Sequence, residues 1–255
     1  LSDDTRTYIV TGAAGGIGGA AAARLCRAGA NVVAVDVSAR RLEATVRAAE
    51  GLSGKVLALR ADVSDEDEAR RVVSECIDVF GEVHGLANVA GGMVGFTEGD
   101  FDMALSNMSL QYFRDTFRLN VETAFLMCRA VEPELSCRSY GKIVNVASLA
   151  AFANRRELGN AAYNPAKAAV VGLTQTLSLL LGRNGIRVNA VAPGLVQSPA
   201  VVATLGDAYV ARHLADTALG RLATVADEAE TIAFLMEPAS DAITGEVVRV
   251  SAGVR

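Results

Sequence analysis

Short, nearly continuous apolar runs alternate with longer helical patterns along most of this 255-residue chain. The runs are Tyr8–Thr11, Asn31–Asp36, Lys55–Arg60, Gly85–Asn88, Lys142–Ala147, Arg187–Ala192 and Glu246–Val250. Helical patterns lie near 16–28, 39–50, 65–80, 109–137, 161–182 and 225–236. A strand that is apolar on both faces needs cover on both, and the intervening helices supply it. The alternation predicts a doubly wound α/β domain, a parallel seven-stranded sheet with right-handed crossovers. No linker of Pro, Gly or Ser divides the chain and no internal repeat is found, so residues 1–255 read as one domain. Ser64-Asp-Glu-Asp67 and Thr224-Val-Ala-Asp227 read as capping boxes at two helix starts.

Composition narrows the class further. Lys plus Arg number 24 against 29 Asp plus Glu, a net charge of −5, which speaks against nucleic-acid or polybasic membrane partners. No apolar run approaches the roughly 18 residues of a membrane span. Gly12 to Ala23 is uncharged, but it is rich in Gly and Ala and follows a polar start, unlike a signal peptide. Cys26, Cys76, Cys128 and Cys137 show no ligand spacing and read as free thiols suited to a reducing cytoplasm. With His84 and His213 far apart, no zinc set is expected. The expectation is a soluble, cytoplasmic protein without a metal.

The first strand runs into Thr11-Gly12-Ala-Ala-Gly15-Gly16-Ile17-Gly18, followed by an alanine-rich helix. Such glycines let a backbone turn sharply and approach a pyrophosphate at a helix N-terminus. The second strand ends in Asp36, whose carboxylate can accept from both ribose hydroxyls of an adenosine. This is the Rossmann-type dinucleotide pattern, although folds that bind S-adenosylmethionine share it. Asp36 would repel a 2′-phosphate, Val37 adds no cation, and Gly15 stands where a basic residue would help. Arg40 and Arg41 read as solvated charges of the next helix. NAD is therefore favoured over NADP.

At Tyr163-Asn-Pro-Ala-Lys167 a second pattern enters. With five tyrosines and three lysines (Lys55, Lys142 and Lys167), about 0.06 Tyr-x-x-x-Lys pairs arise by chance. Residues four apart on a helix share a face, so both side chains point into one cleft. A phenol near pKa 10 is a poor base at neutral pH, and a nearby ammonium and an oxidised nicotinamide favour the phenolate.

With Asn88-Val-Ala-Gly91, Asn120, Ile143-Val-Asn-Val-Ala-Ser148, Arg187-Val-Asn-Ala-Val-Ala-Pro-Gly194, Gly220-Arg-Leu and Thr244-Gly245, nearly the whole chain resembles the short-chain dehydrogenase/reductase family. The resemblance implies hydride transfer between a nicotinamide cofactor and a secondary alcohol or ketone. It implies that Tyr163 exchanges the substrate proton, Ser148 orients the reacting oxygen, Lys167 grips the nicotinamide ribose and Asn120 holds a water relay. For the cofactor it implies Gly12, Gly16, Ile17 and Gly18 at the phosphates and Asp36 at the ribose. Asp62 and Val63 then flank the adenine, and Asn88, Ala90 and Gly91 form the ribose wall. Pro193, Gly194, Val196 and Ser198 lie near the carboxamide, with Ser198 where threonine is commoner.

Two alternatives remain in view: an NADPH-dependent 3-oxoacyl-carrier-protein type ketoreductase, and a regulator that senses NAD without turnover. A methyltransferase gives Ser148, Tyr163 and Lys167 no role.

Departures from the family pattern bear on substrate and assembly. The Ser148–Tyr163 loop is slightly expanded and carries Arg155 and Arg156, candidates for an anionic substrate group although a solvated loop tip is the simpler reading. Met93, Phe96, Phe101, Met103 and Met108 could line an apolar pocket, though such a set usually forms core. Residues 195–220 correspond to the family's variable substrate lid, with His213 read as a surface helix residue. Val250-Ser-Ala-Gly253 replaces the commoner Asp-Gly-Gly near the C-terminal contacts. The helix from Ala161 to Leu181 is apolar over more than one stripe, which with the resemblance implies a homo-oligomer, a tetramer.

Overall fold

A computed structural model describes residues 5–95, 104–152, 160–197 and 199–254, with the backbone alone for 199–206. The first half alternates β1 (Thr7–Thr11), α1 (Gly16–Arg27), β2 (Asn31–Asp36), α2 (Ala39–Ala49), β3 (Val56–Arg60), α3 (Glu66–Phe80) and β4 (Gly85–Asn88). Then come α4 (Leu110–Phe117), a π-helical turn (Arg118–Glu122), α5 (Thr123–Cys137), β5 (Gly141–Val146), α6 (Tyr163–Leu181) and β6 (Ile186–Pro193). The chain closes with β7 (Val196–Gln197), α7 (Pro199–Ala215), β8 (Ala223–Thr224), α8 (Val225–Met236) and β9 (Val247–Val250).

Among the described residues the main sheet has seven strands in the order β3-β2-β1-β4-β5-β6-β9, all parallel. The order reverses between β1 and β4, the switch point at which such sheets open a crevice beyond their carboxyl ends. Each of the seven predicted runs became a strand of this sheet, with bounds shifted by a residue at most. One face buries α1 and α8 against Tyr8, Val10, Val32, Val144 and Val191. The other buries α3 and α5 against Ile9, Val33, Leu86, Ile143 and Val188. Within one strand, neighbouring residues thus serve opposite cores, which is why the runs are continuously apolar.

Three local readings change. Asp65, not Ser64, caps α3, its carboxylate accepting from the Asp67 and Glu68 amides at 2.9 and 3.1 Å, while the Ser64 hydroxyl turns to Asp62. The single helix expected over 109–137 is interrupted by the π-helical turn, and α7 occupies part of the expected lid. Thr224 and Asp227 do form the predicted reciprocal box. Met93 and Met108 are half-buried rather than core, and Phe96, Phe101 and Met103 lie outside the described residues. His213 is a half-buried residue of α7 stacked on Tyr209 at 4.3 Å. Among the described residues no helix is long and apolar enough to cross a membrane, and no three His, Cys, Asp or Glu side chains cluster to hold a metal ion.

Near the start of α8, Glu228 is fully buried and neither carboxylate oxygen has a hydrogen-bond partner. Burial, reinforced by the Asp227 charge, pushes its pKa from 4.5 up to about 8. Between those values the folded chain holds a proton that the unfolded chain has lost, so this group's stabilising contribution declines as pH rises through the window. Glu228→Gln should therefore raise Tm at pH 8, by about 2–4 °C per kcal/mol relieved, and change it little at pH 5. Melting curves at the two pH values, with equal shifts at both, would contradict the assignment.

Candidate active site

The turn between β1 and α1 is built by contacts too close for side chains. A Cβ on Gly18 would collide with the Gly12 carbonyl oxygen, so only glycine lets α1 start this near the strand. The turn is held from outside by Thr45 of α2, whose hydroxyl donates to the Ala13 carbonyl at 2.6 Å. Thr11 accepts from the Val89 and Ala90 amides, both at 3.1 Å, and so binds the end of β1 to the loop after β4. Thr11 entered the sequence reading only as the first residue of the turn, without a role, and Thr45, mid-helix, carried no distinctive spacing.

A cavity of about 620 Å³ opens beyond these strand ends. Gly12, Gly16, Ile17 and Gly18 line one side, Asp36, Asp62 and Val63 a second, Ala90 and Gly91 a third. Leu119 and Thr123, missed in the sequence because they belong to an unremarkable stretch of helix, complete the wall. The start of α1 has no side-chain cap and no acidic residue in its first turn, which suits a bound phosphate.

The Asp36 carboxylate is oriented by the Ser38 amide at 2.9 Å and the Ala14 amide at 3.3 Å. Arg41, expected to be solvated, is largely exposed yet lines the cavity with its guanidinium 3.4 Å from Asp36. Asp62 accepts from the Ser64 hydroxyl at 2.6 Å and its amide at 3.0 Å, which holds its carboxyl below the usual carboxylate range. The amides at the start of α1 and the carboxylate of Asp36 suit an adenosine diphosphate, phosphate charge to helix and ribose hydroxyls to carboxylate.

Asn88 sits elsewhere. Its side chain turns into the core, donating to Asn145 Oδ1 at 2.9 Å, and Asn145 donates in turn to the Thr174 hydroxyl at 2.9 Å. The chain braces β4, β5 and α6 beneath the site rather than lining the cavity. Pro193 ends β6, Gly194 and Val196 follow it, and all three lie outside the cavity wall, Gly194 standing close to Leu149, the residue after Ser148. Ser198, Arg155 and Arg156 lie outside the described residues.

Two of the four expected catalytic residues, Asn120 and Lys167, meet at Gly91 on the cavity wall, and Tyr163 and Ser148 join them beyond Lys167. Ser148 hydrogen-bonds the Tyr163 phenol, and its own Oγ accepts from the Ala150 amide at 3.1 Å. Lys167 is buried with Nζ 5.8 Å from the Tyr163 ring centroid and donates to the Val146 carbonyl at 2.8 Å. Asn120, in the π-helical turn, clasps Gly92 from both sides, accepting from its amide at 2.9 Å and donating to its carbonyl at 2.8 Å. Its Nδ2 also reaches the Thr116 carbonyl at 2.9 Å, the acceptor that a regular α-helix assigns to the residue-120 amide. Gly91 joins the groups, since a Cβ there would stand 2.8 Å from Asn120 Oδ1 and 3.2 Å from Lys167 Nζ.

Burial acts on both titrating groups in the direction of neutrality. It pushes Lys167 down to about 8, and it raises the Tyr163 phenol against the opposing pull of the Ser148 hydrogen bond. The expected lowering of the phenol by the ammonium does not dominate, because desolvation by burial is the larger effect. What the arrangement can do is hold a proton on Tyr163 beside a hydroxyl that orients a reacting oxygen.

Known proteins share this arrangement of chain. A family model described as enoyl-(acyl carrier protein) reductase matches residues 12–255. A 3-oxoacyl-acyl-carrier-protein reductase of Thermotoga maritima is 32% identical over 249 residues, covering 98% of this chain and 97% of that one. A short-chain type dehydrogenase/reductase from Mycobacterium ulcerans has a structure with TM-score 0.90 and 32% identity, covering 99% of this chain and 90% of that one. A 7α-hydroxysteroid dehydrogenase in complex with NADH and 7-oxo glycochenodeoxycholic acid gives 0.88 and 31%, covering 98% and 94%.

Gly18→Ala tests the cavity directly. Overpacking of about 1–3 kcal/mol translates to roughly five- to 150-fold weaker dinucleotide binding, read from the fluorescence of the bound reduced nicotinamide. Unchanged affinity would show that the close approach is dispensable.

Proposed function

Since the chain belongs to the short-chain dehydrogenase/reductase family, we propose that its assembled Ser148–Tyr163–Lys167–Asn120 group carries the family's chemistry. That chemistry is hydride transfer between a nicotinamide cofactor and a secondary alcohol or its ketone. The observation that carries the reading is that Asn120 and Lys167 meet at Gly91 on the wall of a cavity suited to a dinucleotide, with Lys167 over the Tyr163 ring and Ser148 bonded to its phenol.

A bound nicotinamide would supply the hydride chemistry. Tyr163 gives its phenolic proton to the carbonyl oxygen in reduction and recovers it in oxidation. Ser148 donates to the same oxygen and fixes its position. Lys167, anchored on Val146, lends positive charge to the phenol and a donor to the nicotinamide ribose. Asn120 holds the loop after β4 against this group and keeps the start of a proton path open. A positioned acid–base pair of this kind is worth about 10²–10⁴ in rate.

NAD is the proposed cofactor, because Asp36 faces the cavity with its carboxylate already held for ribose hydroxyls. The likeness to a 3-oxoacyl-acyl-carrier-protein reductase favours a second reading, an NADPH-dependent ketoreductase, and Arg41 at the cavity wall is the residue that would serve it. The intact Ser148, Tyr163 and Lys167 count against a sensor without turnover. The reading includes a homotetramer. Within one chain α6 buries a single face through Ala166, Val170, Thr174 and Ser178, leaving Leu179 and Leu180 exposed at 82% and 66%. It also includes a cytoplasmic location, which suits four free cysteines.

Tyr163→Phe should leave dinucleotide binding within about twofold and reduce turnover by about 10²–10⁴; a variant as active as the parent would sink the assignment. Because burial raises the phenol, alcohol oxidation should climb with pH above neutrality and ketone reduction should weaken there, as followed at 340 nm. NADH should give the lower KM, and Asp36→Ala should narrow the gap to NADPH by at least about tenfold, on the order of 1.4 kcal/mol. A parent enzyme that prefers NADPH would favour the ketoreductase reading instead.

A further inference from the structure

Tyr163 opens α6, and the residue before it, Ala162, has no side chain able to cap a helix. The cap comes from Asn160, which is buried at 3% exposure. Its Oδ1 accepts from the Ala162 amide at 3.0 Å and the Tyr163 amide at 2.8 Å. Its main-chain carbonyl accepts from the Asn164 amide at 3.0 Å, and its own amide donates to Asn164 Oδ1 at 3.2 Å. Pro165 has no amide hydrogen to satisfy. The amides of the first turn are thus accounted for, most of them by one asparagine. The other end of the same carboxamide points away from α6, with Nδ2 donating to the Tyr112 hydroxyl of α4 at 3.3 Å.

We propose that Asn160 is a positioning residue: its carboxamide bridges Tyr163 on α6 to Tyr112 on α4 and so sets the height of the phenol over Ser148. The bridge has a direct chemical reason. α4 leads within one turn into the π-helical segment that holds Asn120, whereas α6 carries Tyr163 and Lys167. Apart from Gly91, the two helices need a fixed spacing for all four groups to face one oxygen. A carboxamide offers an acceptor to the α6 amides and a donor to a phenol on two separate atoms, so it can face both helices at once. A displacement of about 1 Å at a reacting group costs up to about a hundredfold in rate, so the bridge should be read in kcat.

The proposal rests on Tyr163 being the proton-transferring residue, and the test separates the two. Asn160→Ala should lower kcat by about ten- to a hundredfold while the KM and dissociation constant for the dinucleotide stay within about twofold. Asn160→Asp keeps the acceptor for the α6 amides, loses the donor to Tyr112 and adds a negative charge near Tyr163. It should restore part of kcat and move the alkaline limb of the oxidation profile to higher pH. Tyr112→Phe should give a smaller loss in kcat, and adding it to Asn160→Ala should cost nothing more.

A purely structural asparagine would lower Tm without splitting kcat from KM. Should Asn160→Ala fail to fold, Asn160→Asp decides: a kcat within about twofold of the parent's overturns the proposal. So does Asn160→Ala with kcat within about twofold of the parent, provided Tyr163→Phe is inactive. If Tyr163→Phe remains active, the fault lies with the catalytic reading and the bridge has no phenol to position.

Discussion

The contact between Gly18 and the Gly12 carbonyl sets how closely α1 can dock onto β1, and much of the molecule follows from that distance. With α1 seated there, the unpaired amides at its start face the crevice at the switch point rather than solvent. Thr11 then carries the constraint across to β4 by holding the Val89 and Ala90 amides, and Gly91 carries it on to Asn120 and Lys167. The turn at the start of α1 and the proton-transfer region are therefore parts of one frame. Neither could drift without breaking a backbone contact that has no slack.

The chemistry of the second region depends on its dryness. Burial leaves the Tyr163 phenol and the Lys167 amine both reluctant to ionise. Two buried groups that resist charge alone can still share it once a cation or a polarised oxygen is brought near, because electrostatic interactions are strong where water is excluded. The brace through Asn88, Asn145 and Thr174 lies directly under this region and supplies fully bonded polar groups where an apolar core would leave strand ends free to slide.

Much of this was legible in the sequence, for reasons that differ by element. Buried parallel strands announce themselves as apolar runs, and their carboxyl ends mark where Gly12, Asp36, Ala90 and Ser148 must gather. The box at Thr224 and Asp227 was readable because both partners carry the polar atoms the motif requires. At α3 the acids crowd so densely that Ser64 and Asp65 are equally good caps by pattern, and the carboxylate prevailed. Asn160 escaped notice because the cap reaches past an alanine, from outside the usual position. Asn88 matched a binding motif, yet its amide satisfies the core, since a strand-end residue has two faces and the motif does not say which. Of α7 only a helix at His213 was legible, because its apolar residues, from Val201 to Leu214, follow no single stripe.

The π-helical turn at 118–122 also has meaning as an insertion. One extra residue rotates everything before it by about 100° relative to a regular helix, so α4 and α5 present faces that are out of phase by a residue. The phase is reset at Asn120, and whatever precedes it need not match the rigid core behind α5. Such a phase break lets α4 turn Tyr112 toward Asn160 while α5 keeps Met127, Cys128 and Val131 in the core behind it.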